Sequence, residues 1–143
     1  MVGPGTGIAP FRAFLHQRRE LGCSGRNWLF FGDHHVDSNF YYRSELEEMF
    51  ADGFLTRLDL AFSRDQRDRV YVHHRMIEHG AELWRWIRDG AYFYVCGDAG
   101  QMAKDVDAAL TQIFAVHGKL DEDAAVALKE QLIADKRYMR DVY

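Results

Sequence analysis

Two unbroken apolar runs constrain the fold of this chain more than any other feature of its sequence. Residues 28–31 and 92–96 consist of aliphatic and aromatic residues and one cysteine, and Gly32 and Gly97 follow them directly. Short continuous runs of this kind are typical of strands buried on both faces, as in parallel sheets covered by helices. The sequence therefore predicts a mostly parallel sheet with helices on both faces.

Helical spacing fills most of the intervals between these runs. Ser38 is a candidate cap of the second predicted helix. Asp121 is a candidate cap of the last helix, whose acidic first turn and basic end, at Lys136 and Arg137, suit the helix dipole. The apolar positions of the other helices are Ile8, Phe11, Phe14 and Leu15; Leu46, Met49 and Phe50; Ile77, Leu83, Trp84 and Ile87; and Met102, Val106, Ala109, Leu110 and Ile113.

Two further segments have the character of strands. Leu58, Leu60 and Phe62 alternate with other residues, and residues 138–143 form a short last strand. Strands that alternate with helices predict an α/β fold with a doubly wound, mostly parallel, five-stranded sheet. Only Met1 and Val2 precede the glycine-rich loop described below, so the first of the five strands is expected to be cut short.

The composition argues against several classes of protein. A formal net charge of −4 is not the balance expected of a nucleic-acid-binding protein. The apolar runs are far shorter than the ~20 residues that cross a bilayer, and no signal peptide is visible after Met1. Two cysteines, Cys23 and Cys96, do not suggest a disulfide framework. We therefore expect a cytoplasmic protein that binds neither nucleic acid nor a membrane.

A glycine-rich loop, Gly3-Pro4-Gly5-Thr6-Gly7, precedes the first predicted helix. Glycines let the backbone approach a pyrophosphate closely, and a helix N-terminus offers free N–H groups and partial positive charge. The loop is not a P-loop, and Ile8 stands where the standard dinucleotide fingerprint has its third glycine. On local sequence alone, a phosphate-binding loop and an ordinary glycine turn are equally good interpretations.

A basic segment follows the strand that ends at Phe62. Ser63-Arg64 and Arg69-Val70-Tyr71 lie on either side of Arg67. A hydroxyl group and guanidinium groups suit a phosphate monoester, and a tyrosine ring can stack on a base. A solvated charged loop is the alternative interpretation.

Asp33, which ends the first apolar strand, supports a competing prediction. In a classical NAD domain, an acid at this position binds the ribose 2′-hydroxyl group and favours NAD over NADP. We favour the arginine segment as the determinant of specificity, and a turn-forming aspartate is the ordinary alternative.

Cys96 and Asp98 stand at another strand end and could line a nicotinamide pocket, although a buried structural cysteine is the usual alternative. The histidine pairs, His34-His35 and His73-His74, predict no metal site, since neighbours on a strand point to opposite faces.

As a set, these motifs resemble the diflavin reductase family, and they occur in the family's order over nearly the whole chain. The matching stretches are residues 3–12, 30–32, 61–65, 70–72, 94–98, 102–106 and 138–143. Residues 83–87 and 140–143 are most similar to the sulfite-reducing branch of that family. The resemblance implies that residues 1–143 form one ferredoxin-reductase-like NADPH-binding domain of a larger flavoprotein.

The resemblance also implies a role for each site residue. Gly5 and Thr6 would face the pyrophosphate and the nicotinamide end of NADPH. The 2′-phosphate pocket would comprise Ser63, Arg64, Arg69, Val70, Tyr71, Val72 and His73, where the family often has glutamine at the last position. Asp105 would contact the nucleotide. Cys96, Asp98 and Asp141 would act at the nicotinamide, and Tyr143 would stack on the isoalloxazine of FAD.

The activity implied is hydride transfer from NADPH to FAD, with electrons passing through FMN to a haemoprotein such as a sulfite-reducing one. FAD and FMN would be held by other domains, so this chain would be inactive alone. Two alternatives stay open, namely a stand-alone nucleotide-binding module and a fragment of a simpler FAD-dependent reductase of the ferredoxin–NADP type.

Overall fold

The computed structural model describes residues 1–143 and divides into two units, Met1–Val72 and His73–Tyr143. Each unit combines a pair of parallel strands with helices, which confirms the predicted α/β class. The strands are β1 (Trp28–Asp33), β2 (Arg57–Phe62), β3 (Phe93–Gly97) and β4 (Tyr138–Val142). The prediction of five strands was wrong by one, because Val2 forms a single parallel bridge to Phe30 and no ladder.

Helices account for most of the remaining chain. A 3₁₀ turn, Gly5–Ile8, leads directly into the first α-helix. None of the helices is both long enough and apolar enough to cross a membrane. The α-helices are α1 (Ala9–Glu20), α2 (Val36–Asn39), α3 (Arg43–Ala51), α4 (Val72–Glu78), α5 (Gly80–Arg88), α6 (Gln101–Gly118) and α7 (Glu122–Ala134).

In the first unit, β1 is paired along both of its edges. The N–H of Phe30 donates to the carbonyl oxygen of Met1 (2.9 Å), and the N–H of Gly3 donates to that of Phe30 (3.0 Å). On the other edge, β2 runs parallel to β1, with Asp33 opposite Phe62 at the carboxyl end. Burial of both faces of β1 explains why its sequence is an unbroken apolar run.

In the second unit, β3 and β4 run parallel, with Gly97 opposite Val142 at the carboxyl end. The long helix α6 packs against α5 and α7 and buries its apolar side chains, among them Leu110 and Phe114. Asp121 caps α7 as predicted, because its carboxylate accepts a hydrogen bond from the N–H of Ala124 (2.8 Å).

Two expectations about the second predicted helix were wrong. Ser38 lies inside α2 and caps nothing, and its hydroxyl group bonds the side chain of Asn39 (2.9 Å). Helix α3 begins instead after Tyr42, whose left-handed backbone (φ 58°) turns the chain into the helix. Phe50 is 51% exposed, whereas Leu46 on the same helix is buried.

The helix predicted around Ile77 is in fact two helices, α4 and α5, which meet at His79. Gly80 begins α5 at a tight contact, because a Cβ there would lie 2.8 Å from Nε2 of His117. Ile77 itself is exposed rather than buried.

The basic end predicted for the last helix also lies outside it. Helix α7 ends at Ala134, and no basic residue is in its last turn. Lys136 has a left-handed backbone (φ 56°) in the connection to β4. The Arg137 guanidinium donates to the carbonyl oxygens of Ile87 and Ala91, so it ties the end of α5 to the start of β4.

Candidate nucleotide-binding site

Glycines shape the loop that precedes α1. Gly3 cannot carry a side chain, because a Cβ there would lie 2.6 Å from both the Gly7 carbonyl oxygen and the ring of Phe11. Gly5 has a left-handed backbone (φ +58°), and the nearest atom to its Cβ position is Oδ2 of Asp33, 3.8 Å away. Thr6 is exposed. The loop therefore packs on α1 through Gly3, and the Thr6 carbonyl oxygen accepts the N–H of Ala9 at the start of that helix.

Parallel pairing continues beyond the ends of β1 and β2. The N–H of Ser63 donates to the carbonyl oxygen of Asp33 (2.9 Å), and the N–H of Arg64 donates to that of His34 (3.0 Å). The Asp33 carboxylate also approaches Gly5, so the glycine loop and the basic segment both adjoin Asp33 at one edge. This edge lies at the carboxyl ends of the parallel strands, which is where α/β sheets bind ligands.

The basic segment presents unpaired positive charge at this edge. Arg64, Arg67 and Arg69 are exposed, and none of their guanidinium groups forms an ion pair. Ser63, by contrast, is buried. The Gln66 amide donates to the carbonyl oxygens of Phe62 (2.7 Å) and Asp68 (3.0 Å), which closes the segment into a compact turn.

Asp65 fixes the basic segment to the turn after β1. Its carboxylate accepts the N–H of Val36 (2.8 Å) and lies 2.8 Å from Nδ1 of His35. The Val36 hydrogen bond and then His35 lower the pKa of Asp65 below its usual range. His34 and His35 lie in this turn and not on a strand, which corrects the geometry assumed for the pair.

In the second unit, Cys96 on β3 stands opposite Asp141 on β4. Burial raises the pKa of the Cys96 thiol, and the Asp141 carboxylate adds to the effect. The thiol is therefore protonated at neutral pH and is not an activated nucleophile.

Asp98 caps α6. Its two carboxylate oxygens accept the N–H groups of Gly100 (3.0 Å) and Met102 (3.3 Å). These two bonds, the Gly100 bond most of all, lower the pKa of Asp98 below its usual range. The carboxylate predicted to act at the nicotinamide thus has a structural role at the start of α6.

His73 and Asp105 come together between α4 and α6. His73 Nδ1 lies 3.9 Å from Asp105 Oδ2, and Asp105 Oδ1 accepts a hydrogen bond from Gln101 (2.7 Å). Burial and then the neighbouring His74 lower the pKa of His73, while Asp105 opposes that shift. Both histidines belong to α4, not to a strand as the sequence reasoning assumed.

Tyr143 is held by its backbone and exposes its side chain. Its N–H donates to the carbonyl oxygen of Gly97, and its own carbonyl oxygen accepts the N–H of Ala99, both at 3.0 Å. The residue is 69% exposed, so its ring is presented at the carboxyl end of β3 and β4.

The structure therefore brings the candidate residues together in three groups. In the first unit, Gly5 approaches the Asp33 side chain, Ser63 and Arg64 bond the backbone of Asp33 and His34, and Arg69, Val70, Tyr71 and Val72 follow along the chain. In the second unit, Cys96, Asp98, Asp141 and Tyr143 cluster at the ends of β3 and β4, and His73 pairs with Asp105. Sequence reasoning did not foresee the bracing roles of Gln66 and Asp65, and only the register of β1 and β2 could have revealed them.

A glycine loop at a helix start, beside a basic segment at the carboxyl edge of parallel strands, defines a nucleotide-binding α/β domain. Comparison with known protein families identifies the family of nucleotide-binding domains to which the chain belongs. The chain belongs to the oxidoreductase NAD-binding domain family, whose model matches residues 1–108.

The chain is also similar to individual proteins over its full length. It is 53% identical to the sulfite reductase (NADPH) flavoprotein alpha-component of Klebsiella pneumoniae and 54% identical to that of Escherichia coli K12, over 143 residues in both cases. It spans about 24% of the length of these relatives. They confirm the resemblance to the flavoproteins of sulfite reduction.

Proposed function

We propose that this chain binds NADPH and presents its nicotinamide to FAD within a longer diflavin flavoprotein. The observation that carries the proposal is the edge of the first unit, where the glycine loop adjoins Asp33 and the basic segment bonded to the same turn exposes three arginines without ion pairs. These guanidinium groups can hold an anionic ligand without first breaking an ion pair within the protein.

Each part of the edge suits one part of the dinucleotide. Gly5 and Thr6 would accept the pyrophosphate at the start of α1, where N–H groups and the helix dipole favour negative charge. Ser63 and Arg64, with Arg69, would bind the 2′-phosphate, and the exposed ring of Tyr71 would stack on the adenine. Val70 and Val72 flank that ring in the sequence and would shape the apolar side of the pocket.

The second unit would serve the nicotinamide end and the flavin. Cys96 and Asp141 stand opposite one another, and a protonated thiol there could pack beside the ring without reacting with it. Asp98 would fix the start of α6, and Asp105 with His73 would contact the nucleotide. The exposed Tyr143 would stack on the isoalloxazine. The bound flavin supplies the hydride-accepting chemistry, and the residues of this chain position the donor.

The wider assembly follows from the relatives. They are named as flavoprotein components of sulfite reductase, so we propose FAD- and FMN-binding domains and a haemoprotein acceptor as partners. We also propose that the protein is cytoplasmic. Because stacking on one exposed aromatic ring supplies few contacts, the 143-residue chain should bind no FAD in stoichiometric amount and should not reduce dyes with NADPH.

Calorimetric titration of the 143-residue chain with 2′,5′-ADP and with 5′-AMP tests the central claim. The two ligands differ by the 2′-phosphate, so 2′,5′-ADP should bind at least about tenfold more tightly. Equal affinity would rule out an NADP-type site, and no binding of either ligand would rule out the nucleotide site itself.

A further inference from the structure

We propose that Asp33 opposes the binding of the dinucleotide's pyrophosphate, so that this chain holds NADP(H) less tightly than its glycine loop and arginines alone would. The inference rests on the proposed function and concerns the same edge of the first unit. On this inference, Asp33 lowers the affinity for the dinucleotide. Its position in the sequence had suggested either a contact with the ribose or a turn-forming role.

The position of the carboxylate is the first reason. Asp33 Oδ2 is the nearest atom to the Cβ position of Gly5, at 3.8 Å, so the carboxylate faces the open side of the glycine loop. Its other oxygen, Oδ1, accepts the N–H of His34 (2.7 Å). The side chain is only 13% exposed, so it cannot easily swing into solvent when an anion arrives.

The absence of a strong counter-charge is the second reason. Within 4.0 Å the only basic group is His34, whose Nδ1 lies 3.9 Å from Asp33 Oδ1. Arg64 is bonded to this turn through its backbone N–H alone, and its guanidinium makes no ion pair with Asp33. The carboxylate therefore carries a largely uncompensated negative charge beside the place where the pyrophosphate would lie.

The size of the effect follows from Coulomb's law. Two negative charges roughly 6 Å apart, in a partly buried setting, should weaken binding on the order of three- to thirtyfold. The Debye length is about 10 Å at 0.1 M salt, so added salt should reduce the repulsion only in part. A weakened hold on the pyrophosphate would speed the release of NADP⁺ after each hydride transfer, because affinity differences within one site appear mostly in the dissociation rate.

The opposite interpretation predicts the opposite sign. If Asp33 accepts a hydrogen bond from a ribose hydroxyl group, removal of its charge weakens binding, and the loss is largest for NAD⁺, which carries the free 2′-hydroxyl. The direction of change in a single variant therefore decides between the two roles.

The test is Asp33→Asn in the 143-residue chain, titrated with NADP⁺ and with 2′-AMP. Asparagine keeps the volume and the oxygen that accepts the His34 N–H, and it removes only the charge. Asp37→Asn is the matched control, because Asp37 is an exposed acid on α2 in the same unit. Asp33→Ser supplies a second variant without the carboxylate, and circular dichroism verifies the fold of each protein.

We expect Asp33→Asn and Asp33→Ser to tighten NADP⁺ binding about three- to thirtyfold, with a smaller gain in 0.5 M salt. Binding of 2′-AMP, which lacks the pyrophosphate, should stay within about twofold, as should NADP⁺ binding by Asp37→Asn. Unchanged or weaker NADP⁺ binding in both Asp33 variants would overturn this inference alone. Failure of the parent chain to bind NADP⁺ would overturn it together with the proposed function.

Discussion

The two units differ in how far their candidate site residues are already used by the protein itself. In the first unit, the guanidinium groups of Arg64, Arg67 and Arg69 are exposed and make no ion pair. In the second unit, Asp98 caps α6 with both carboxylate oxygens, and Asp105 bonds Gln101. Substitution of one of these arginines should therefore weaken binding and leave the fold unchanged. Substitution of Asp98 or Asp105 should instead destabilise the fold.

The two units also differ in whether a structural role is enough to explain their candidate residues. Asp98 follows a strand and precedes a helix, as a ligand-binding acid in an α/β domain does, yet its hydrogen bonds explain its presence without a ligand. No such internal explanation exists for the three arginines. The first unit therefore carries the stronger structural support for a nucleotide site.

The largest expected effect is a loss of stability at lower pH, and between pH 8 and 7 it should be confined to the first unit. In the 143-residue chain by itself, the Met1 amino group donates to the carbonyl oxygen of Trp28 (2.9 Å), and burial lowers its pKa from 8.0 to about 5. Between these values the unfolded chain binds a proton that the folded chain does not, so stability falls as the pH drops from 8 to 5, by up to about 1.4 kcal/mol per pH unit. Hydrogen exchange of β1 amides, compared between pH 8 and 7 after correction for the intrinsic rate, should report this loss.

Two controls sharpen this first prediction. Acetylation of the amino group should abolish the dependence. The lowered pKa of His73 also makes the second unit less stable as the pH falls, but mainly below the usual histidine value of 6.5. It should therefore contribute little between pH 8 and 7. An equal loss of protection in β3 across that window would show that the two units open together and would remove the distinction.

The next effect concerns binding. Arg64→Ala should lower the affinity for 2′,5′-ADP by about ten- to a hundredfold, or roughly 1.5–3 kcal/mol, because one charge-assisted hydrogen bond to a phosphate is lost. The thermal midpoint without ligand should not change. Arg88→Ala is the control, since Arg88 is exposed on α5 and outside the basic segment. A fall in the midpoint of Arg64→Ala would show that Arg64 is structural after all.

A smaller effect is expected from the helix cap in the second unit. Asp98→Ala should destabilise the chain to urea and leave the affinity for 2′,5′-ADP nearly unchanged. Asp121→Ala provides the reference for cap removal, which typically costs about 0.5–2 kcal/mol, and Asp98→Asn should restore most of the stability. Full stability in Asp98→Ala would mean that the cap is dispensable and that its carboxylate is free for the nicotinamide.

The smallest effect on the chain alone should come from Tyr143→Ala, because the ring is exposed and the substitution keeps the two backbone hydrogen bonds at this position. Its effect should appear only in the reconstituted flavoprotein. There the ring would compete with the nicotinamide for one face of the flavin, so its removal should tighten nicotinamide binding and weaken discrimination against NADH. The ratio of kcat/KM for NADPH and NADH tests this, and an unchanged ratio with unchanged flavin absorbance would leave Tyr143 as a structural terminus.

The elements that could be predicted from the sequence are those whose cause is local. The buried strand β1 follows from an unbroken apolar run, and the cap at Asp121 follows from an acid before an acidic first turn. The break between α4 and α5 could not be predicted in this way. It occurs beside Gly80, which lies against His117 of a different helix, and periodicity along one segment does not report such a neighbour.

The candidate site shows the same limit. The motifs of residues 3–7 and 63–71 could be found in the sequence, and a family resemblance joined them to one ligand. The approach of Asp33 to Gly5 could not be found, since it depends on the register of β1 against its neighbours. The role of Asp98 had a local signal, an acid just before a helix, which its position after a strand obscured.

The close packing of Gly3 against Phe11 and Gly7 predicts which residues would be retained in duplicated copies of the gene. A duplicate of this gene that had lost its cofactor would still retain Gly3, because any larger residue there would displace α1, and it would retain Gly5 for its left-handed backbone. Arg64, which is exposed and outside any ion pair, is under no such packing constraint and would change first. Among paralogues, a preserved glycine loop without this arginine would therefore mark a domain that has kept its fold and lost its ligand.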